Sequence, residues 1–442
     1  MPIFTNPFLD RSVKQKHSGS PKTLQPTELI PPALSRVGRG ASTDASRRPS
    51  VATISSINSN PDTTQHNHLY VPRRPSAWGR MSEYVARRNS TPHVQTASSP
   101  LQEWHHWVAD NRKRTSTGDH PIIDESRMAA LTRKYGEICE VSGLGTDSII
   151  LVSHKYQYCP PLDNYYALKV LRRPPADQSS PSDSDHHQKR VTAEFALAST
   201  LNHKHIVRTY ELLPLGPGNN PDLSCISMEY CAGGDLHSLI ASSATHKLPA
   251  EQADCLFKQL LRGLTYLHGP GGVAHRALAP ENLLLTNKGC LKIADLGHAT
   301  CFRVPGPGED PVVIISKGKK KCGSSSPYIS PEQDTDSSSG ELDDPRSVDI
   351  WAAAVIYLAM RTGRNLWEEA SEERDAGFAR FVEERRDGKN NEVIEGISTD
   401  LSRDILYSML SIDPAARPTA AEVLSSAWVE GVDCCIPAAA VE

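Results

Sequence analysis

Strand-like segments precede all the helical ones in the apolar part of this chain, and that order limits the folds it can adopt. Val141–Val152 is rich in β-branched residues and is interrupted by Gly143 and Gly145, while Tyr165–Leu171 is a short continuous run typical of a buried strand. A polar stretch, Arg173–Lys189, follows and predicts a long mobile loop. Apolar residues then recur at helical spacing in three segments, Val191–Leu201, Gln252–Leu267 and Val348–Met360. We therefore predict an α+β architecture, with a small β-rich lobe followed by a larger α-helical lobe.

Residues 1–125 differ in composition from the rest and predict a disordered tail. Of the first 100 residues, 36 are Ser, Thr or Pro, which leaves too little apolar surface to offset the conformational entropy lost on folding. Residues 1–118 contain 16 Lys and Arg against 7 Asp and Glu, although the whole chain has a net charge of −4. The basic residues stand in separated Arg pairs without interleaved aromatic residues, so a nucleic-acid-binding patch is the less favoured interpretation of this tail.

The tail repeats the sequence Arg-Arg-x-Ser three times, ending at Ser50, Ser76 and Ser90. Chance would place this pattern about 0.1 times in a chain of this length. A basophilic kinase can reach such serines in a flexible segment, and the added phosphate of about −2 charge would offset the neighbouring arginines. We predict that the three serines are regulatory phosphorylation sites, with a solvated basic tail of biased composition as the alternative.

Cysteine usage and hydropathy point to a compartment. The chain has 10 cysteines, none before Cys139 and none in C-x-x-C spacing, and its N-terminus has no secretory apolar segment. The longest apolar run, Ile350–Met360, is shorter than the roughly 18 residues that a membrane-spanning helix needs. We expect a cytoplasmic protein with reduced thiols and no transmembrane segment. A mitochondrial transit segment is the alternative, because the N-terminus is basic and Ser-rich.

Short motifs extend in a fixed order from the first strand to the last helical segments. They are GLGTDS at 143–148, YALK at 166–169, ISMEYC at 226–231, AHRALAPEN at 274–282, IADLG at 293–297 and SPE at 330–332. In this order and spacing they resemble a eukaryotic protein kinase domain that spans residues 130–430, with an N-lobe at 130–230 and a C-lobe at 231–430.

A finer resemblance is to fungal serine/threonine kinases of the halotolerance and nutrient-permease-regulating type. It rests on the long Ser-rich tail, the run Ala253–Gly263, the tripeptide Ser326-Pro327-Tyr328, and Trp428 followed by Cys434-Cys435.

The kinase resemblance implies a site for ATP and Mg²⁺. Backbone at Gly143 and Gly145 would approach the phosphates, and Lys169 would bind them while Glu194 holds its ammonium group. Two residues would be ligands of Mg²⁺, Asn282 and Asp295. Three residues would form the segment that joins the lobes and reads the adenine edge, Met228, Glu229 and Cys231.

Two side chains that the family uses for phosphoryl transfer are missing. Ala277 stands where the family has the aspartate that accepts the proton of the substrate hydroxyl, and Ala279 stands where it has a lysine facing the transferred phosphate. An alanine methyl group can do neither. A smaller departure is Ser148, in place of the third glycine of the glycine-rich loop.

Other positions are expected to support the fold or its regulation. The resemblance implies that Asp349 braces the backbone of the 274–282 loop and that Glu332 pairs with Arg417. It also makes Arg276 a candidate to bind a phosphate on the segment from Asp295 to Glu332, with simple packing of Arg276 within its loop as an equal alternative.

Three interpretations of function follow from these residues. The favoured one is an ATP-binding pseudokinase that regulates or scaffolds fungal signalling through protein partners that the sequence does not identify. The second is an active or weakly active serine/threonine kinase that phosphorylates proteins with ATP. The third is a scaffold that binds no nucleotide.

Overall fold

The computed structural model describes residues 125–144, 148–155, 164–172, 181–215, 223–304, 312–313, 326–334 and 344–436. The predicted disorder of the tail, its serines Ser50, Ser76 and Ser90, and the position of Gly145 lie outside the described residues. Within the described residues, no helix combines the length and the apolar character that crossing a membrane requires.

An antiparallel sheet of five strands forms the N-terminal part, in the order β1-β2-β3-β5-β4. The strands are β1 Glu137–Leu144, β2 Ser148–Lys155, β3 Asn164–Arg172, β4 Thr209–Pro214 and β5 Leu223–Glu229. The register places Lys169 on β3 opposite Ile150 on β2 and Ile226 on β5. The predicted phosphate-binding lysine therefore lies on a central strand, and the neighbouring strands β2 and β5 hold the backbone of that strand from both sides.

A helix that the sequence did not predict covers part of this sheet. This helix, α1, spans Glu125–Tyr135 and buries Leu131 and Tyr135 against apolar residues of β2 and β3. The Tyr135 hydroxyl donates to Glu211 at 2.6 Å and accepts from Ser227 at 2.9 Å. Polar contacts to two strands therefore fix a helix whose own apolar pattern is weak.

The second helix, α2, corrects the loop predicted for Arg173–Lys189. It spans Pro181–Thr200, so the prediction is wrong from residue 181 onward. Proline is favoured in a first helical turn, which accords with a helix that begins at Pro181. Apolar periodicity begins only at Val191, which is 1% exposed and packs with Leu171 and Ile226. The first turns therefore lack the apolar signal on which the sequence prediction depended.

Helices dominate the C-terminal part. They are α3 Leu236–Ser242, α4 Ala250–His268, α5 Pro331–Asp334, α6 Arg346–Thr362, α7 Ala376–Arg386, α8 Glu392–Ile397, α9 Asp400–Met409, α10 Ala420–Leu424 and α11 Ala427–Glu430, with 3₁₀ turns at Pro280–Asn282 and Pro414–Ala416. Helix α6 is buried from Ser347 to Met360 and contacts α4 in the main hydrophobic core. The predicted β-rich lobe and helical lobe are confirmed.

Short strands between β5 and α5 flank the predicted catalytic segments. They are β6 Gly234–Asp235, β7 Val273–Ala274, β8 Leu283–Leu285, β9 Leu291–Ile293, β10 Thr300–Cys301, β11 Arg303–Val304 and β12 Val312–Val313. In the β8–β9 hairpin Leu283 pairs with Ile293, so Asn282 and Asp295 leave the same end of the hairpin. The Ala294 amide donates to the Asn282 carbonyl at 2.9 Å, which holds the two segments together.

Candidate functional site

A cleft of about 280 Å³ lies between the sheet and the helical lobe. Most of its walls are apolar, from Ile150, Val152, Ala167, Ile206, Val207, Ile226, Leu284 and Ile293. A few charged side chains lie at one end, among them Lys169, Glu194 and Asp295. Apolar walls with a small number of converging polar groups are typical of a small-molecule site.

Lys169 lies between two carboxylates. Its ammonium nitrogen is 2.8 Å from Oε1 of Glu194 on α2 and 2.7 Å from Oδ1 of Asp295 after β9. The Lys169 and Glu194 side chains are 11% and 10% exposed, whereas Asp295 is 44% exposed. The structure thus brings together three predicted site residues from a strand, a helix and a loop.

The two carboxylates keep the Lys169 ammonium group charged although its side chain is buried. Burial alone would lower the pKa of Lys169, but the Asp295 and Glu194 carboxylates outweigh it and hold that pKa above its usual value. Burial would likewise raise the pKa of Asp295, but the Lys169 ammonium dominates and holds it below its usual value. The site therefore presents a fixed cation together with a partly exposed anion.

Asp295 has an unusual backbone conformation. Its φ is +61°, in the left-handed region that non-glycine residues rarely adopt. Strain of this kind costs on the order of 1–3 kcal/mol and persists where the surroundings enforce it. Besides its contact with Lys169, the Asp295 carboxylate accepts a hydrogen bond from the Gly297 amide at 3.3 Å. The conformation directs a carboxylate into the cleft, where a divalent cation could bind.

Residues that join the lobes also line the cleft. Met228, Glu229 and Cys231 all contribute to its wall. The Glu229 side chain turns away to Lys292, with 3.0 Å between Oε2 and the ammonium nitrogen. Its amide donates to the Arg208 carbonyl at 2.9 Å. The sequence did not predict this anchoring of the joining segment by Lys292.

Hydrogen bonds fix the backbone of the 274–282 loop around Ala277 and Ala279. The Asn282 side-chain amide donates to the Ala277 carbonyl at 2.9 Å, and the Ala277 amide donates to Nδ1 of His275 at 3.3 Å. The His275 ring contacts the Ala294 carbonyl at 2.9 Å through Nε2. The loop is therefore tied to the β9–Asp295 segment although neither alanine supplies a functional group.

A buried carboxylate on α6 holds the backbone of the same loop in place. Asp349 on α6 is fully buried and accepts backbone hydrogen bonds from His275 and Arg276, both at 2.7 Å. Its Oδ2 also lies 2.8 Å from Nε2 of His268. The structure contains the predicted brace. It stabilises Arg276 in a left-handed conformation with φ of +65°.

Arg276 is not part of the cleft wall. Its guanidinium donates to the Thr300 hydroxyl at 2.8 Å, and its carbonyl accepts from the Gln333 side chain at 3.2 Å. Arg276 thus links its loop to β10 and α5. Its predicted binding of a phosphate on one of the serines of the Asp295–Glu332 segment stays a prediction. Ser316, Ser324 and Ser325 lie outside the described residues. The fourth candidate, Ser326, is described, and its hydroxyl accepts a hydrogen bond from the Tyr328 amide at 3.4 Å.

The predicted Glu332–Arg417 ion pair is present and two-pronged. The two guanidinium nitrogens lie 2.6 and 2.9 Å from the carboxylate oxygens, and the Arg417 side chain is fully buried. The Arg417 guanidinium also stacks over the Trp351 ring at 4.8 Å. This pair joins α5 to the region of the C-terminal helices and so holds α5 in place.

Comparisons with known proteins agree with these geometric features. The family model of the protein kinase domain matches residues 161–429. The chain is 35% identical to the serine/threonine-protein kinase hal4 of Schizosaccharomyces pombe over 91% of this chain and 61% of that protein. It is 39% identical to the serine/threonine-protein kinase HAL4/SAT4 of Saccharomyces cerevisiae over 74% of this chain and 51% of that protein. The alignments thus span between half and about three fifths of these two relatives.

Proposed function

This chain belongs to the protein kinase domain family, and we propose that within the family it is an ATP-binding pseudokinase. One observation carries the proposal. The charged group of Lys169, Glu194 and Asp295 is complete and connected at 2.7–2.8 Å, while positions 277 and 279 of the adjacent loop are alanines, which supply neither a proton acceptor nor a positive charge.

The cleft supports binding of a nucleotide with Mg²⁺. Lys169 supplies an ammonium group for phosphate oxygens, and Asp295 and Asn282 supply oxygen atoms at one end of the cleft. Apolar walls at the other end suit a flat base. Bound Mg²⁺ would neutralise phosphate charge, and the chain's own residues would hold and orient the nucleotide.

The rate factors expected from the two missing side chains support slow phosphoryl transfer or none. A positioned general base contributes about 10²- to 10⁴-fold in rate. By analogy with the loss of one oxyanion donor, removing a charge that faces the transferring group costs about 10²- to 10³-fold more, although effects within one loop need not multiply. A typical kinase turns over about 1–100 times per second. The two alanines would bring that to about one per second or far below.

A weakly active kinase is the second candidate function. One carboxylate that lines the cleft, that of Glu281, favours it. Glu229 pairs with Lys292, Asp235 caps α3 through Ser238, and Glu194 and Asp295 hold Lys169. Glu281 also lines the cleft, and no hydrogen bond or ion pair to a described residue engages it. It is the carboxylate available to replace the missing base.

The proposal also covers regulation of the chain. Regulation or scaffolding of fungal signalling through protein partners accords with the similarity to fungal serine/threonine-protein kinases. The Arg-Arg-x-Ser repeats support phosphorylation of Ser50, Ser76 and Ser90 by basophilic kinases. All eight described cysteines carry free thiols, which accords with a cytoplasmic location.

Nucleotide binding and phosphoryl transfer are measured side by side to test the proposal. The full chain is heated with and without millimolar ATP and Mg²⁺, and autophosphorylation with radiolabelled ATP is followed in parallel. We expect a higher melting temperature with nucleotide, loss of that shift in Lys169→Ala, and almost no label incorporated. The matched control, Lys389→Ala, removes an exposed lysine paired with Asp387 and should keep the shift.

Each other outcome supports a different candidate. Label incorporation that disappears in Glu281→Gln would identify a weakly active kinase that uses Glu281. A melting temperature that does not respond to nucleotide would overturn ATP binding and leave the scaffold.

A further inference from the structure

Three cysteines from distant parts of the chain meet on one side of α4. Cys255 lies on the second turn of α4, and Cys434 and Cys435 follow α11 near the C-terminus. The Cys255 sulfur is 3.5 Å from that of Cys435 and 4.0 Å from that of Cys434. Cys255 and Cys435 are 180 positions apart, so only the tertiary fold brings them together.

Contacts other than thiols hold the C-terminal segment on α4. The Lys258 ammonium donates to the carbonyls of Glu430 at 3.1 Å and Val432 at 2.9 Å. The Arg262 guanidinium donates to the Ile436 carbonyl at 2.6 Å and to the Cys434 sulfur at 3.2 Å. Two basic side chains one helical turn apart therefore hold the thiols close, and a covalent bond is not needed to assemble the site.

Cys255 and Cys435 differ in burial and in hydrogen bonding, and this difference determines which of the two thiols is the more reactive. Cys255 is buried and its thiol donates to the Cys435 sulfur, whereas Cys435 is half-buried and open to a small reagent. The Gln259 side-chain amide, 3.7 Å from the Cys435 sulfur, is a second donor. The hydrogen bond from Cys255 lowers the pKa of the Cys435 thiol below its usual value. A thiolate is the reactive form, so Cys435 is the attacking group and Cys255 the partner.

We propose that Cys435 and Cys255 form an oxidation site that reacts with hydrogen peroxide to give an intramolecular disulfide. The Cys435 thiolate attacks one peroxide oxygen, the O–O bond breaks, hydroxide leaves, and Cys435 becomes a sulfenic acid. The Cys255 sulfur then attacks the Cys435 sulfur, its proton leaves with the sulfenic oxygen as water, and the S–S bond forms. Two thiols lose two electrons in total, and one peroxide molecule gains them.

Little movement is needed to close this bond. The two sulfurs must approach from 3.5 Å to about 2.05 Å, the length of a disulfide. The backbone amide of Cys435 already donates to the Cys255 sulfur at 3.4 Å, so the main chain of the C-terminal segment lies against its partner. A bond across 180 positions would restrict the unfolded chain and raise the melting temperature of the oxidised protein.

Peptide mapping of the full chain tests the proposal. The reduced protein is treated with hydrogen peroxide, free thiols are alkylated, and the digest is examined by mass spectrometry. We expect a cross-link between the peptides of Cys255 and Cys435, together with a rise of several degrees in melting temperature that dithiothreitol reverses. Cys434→Ser and the distant control Cys301→Ser should both keep the cross-link.

A trapping experiment follows the first step by itself. In Cys255→Ser, combined with Cys434→Ser to remove the other neighbouring thiol, the sulfenic acid at Cys435 has no partner thiol, so dimedone should label Cys435 after peroxide treatment. If this double variant fails to fold, the wild-type map still decides the outcome. A cross-link from Cys434 to either neighbour, the absence of any cross-link, or a folded double variant with no dimedone adduct at Cys435 would overturn the proposal.

Discussion

The side-chain amide of Asn282 donates a hydrogen bond to the carbonyl oxygen of Ala277 across 2.9 Å. This contact closes the 274–282 loop from within, and Asp349 supports the same loop through the amides of His275 and Arg276. Neither interaction uses the side chain at position 277. The backbone arrangement of the loop therefore does not depend on the side chain at position 277, where alanine offers no proton acceptor.

Restoring two side chains should restore phosphoryl transfer. In the double variant Ala277→Asp and Ala279→Lys, the ordered loop would present a carboxylate and an ammonium group beside the cleft. We expect autophosphorylation to rise at least about 100-fold, the lower contribution of a positioned base. Ala277→Asn with Ala279→Gln is the uncharged control. Equal rates for both variants would show that the remainder of the site does not support transfer.

The brace at Asp349 should be sensitive to loss of one oxygen acceptor. The Asp349 carboxylate accepts from the amides of His275 and Arg276 and contacts the ring of His268. In Asp349→Asn, one carboxylate oxygen becomes an NH₂ group, which would face one of these donors and cannot accept its hydrogen bond. An unsatisfied buried group of this kind costs about 1–3 kcal/mol. Urea denaturation should show the loss, whereas Asp387→Asn at an exposed site should change little. Equal stability of the two variants would argue against the brace.

The Glu332–Arg417 pair should show strong coupling. Removing one partner of a buried ion pair destabilises a protein by about 3–5 kcal/mol, because the other charge is left unpaired. We expect that cost for Glu332→Ala and a partial recovery when Arg417→Met is added, measured as a double-mutant cycle in urea. The exposed pair Arg386–Glu372 is the control and should contribute about 1 kcal/mol or less. Additive effects at Glu332 and Arg417 would contradict the structure.

Stability should fall in mild acid because of His205. This histidine is fully buried, and burial lowers its pKa to about 3 from an unfolded value near 6.5. Between those values the unfolded chain binds a proton that the folded chain does not, so the stabilisation is present above pH 6.5 and is lost as the pH falls. The loss is about 1.4 kcal/mol per pH unit at most.

Denaturation by urea at pH 7.5 and pH 5.5 measures that dependence. His205→Gln should have a flatter profile than the wild type, although not a flat one, since burial also lowers the pKa of His203. Profiles of equal slope would show that His205 does not govern the acid sensitivity.

The tail serines should accept phosphate from a basophilic kinase. Incubation of the full chain with such a kinase and ATP should place phosphate on Ser50, Ser76 and Ser90, because paired arginines precede each serine. Replacing the arginine pairs with alanines should remove the phosphate while leaving the serines in place. Mass spectrometry that finds these serines unmodified while other tail serines are phosphorylated would contradict the assignment.

Much of the site could be predicted because its motifs are local. Lys169 lies in an apolar strand and Asp295 in the IADLG segment, so each could be identified from a few neighbouring residues. The start of α2 was not predictable from apolar spacing, because the apolar periodicity of this helix begins only at Val191. Helix α1 was missed for a related reason, since its stability comes from burial of Leu131 and Tyr135 against strands that follow it.

What the sequence determined by itself is the chemistry available at each position. An alanine at 277 has no proton acceptor in any fold, and a lysine at 169 supplies an amine that can carry a positive charge. The tertiary structure decided which groups meet, because contacts such as Lys169–Asp295 and Cys255–Cys435 join residues 126 and 180 positions apart. Such contacts form only when the strands and helices pack together. The reactivity of Cys435 and the charge of the cleft therefore depend on neighbours that no local pattern identifies.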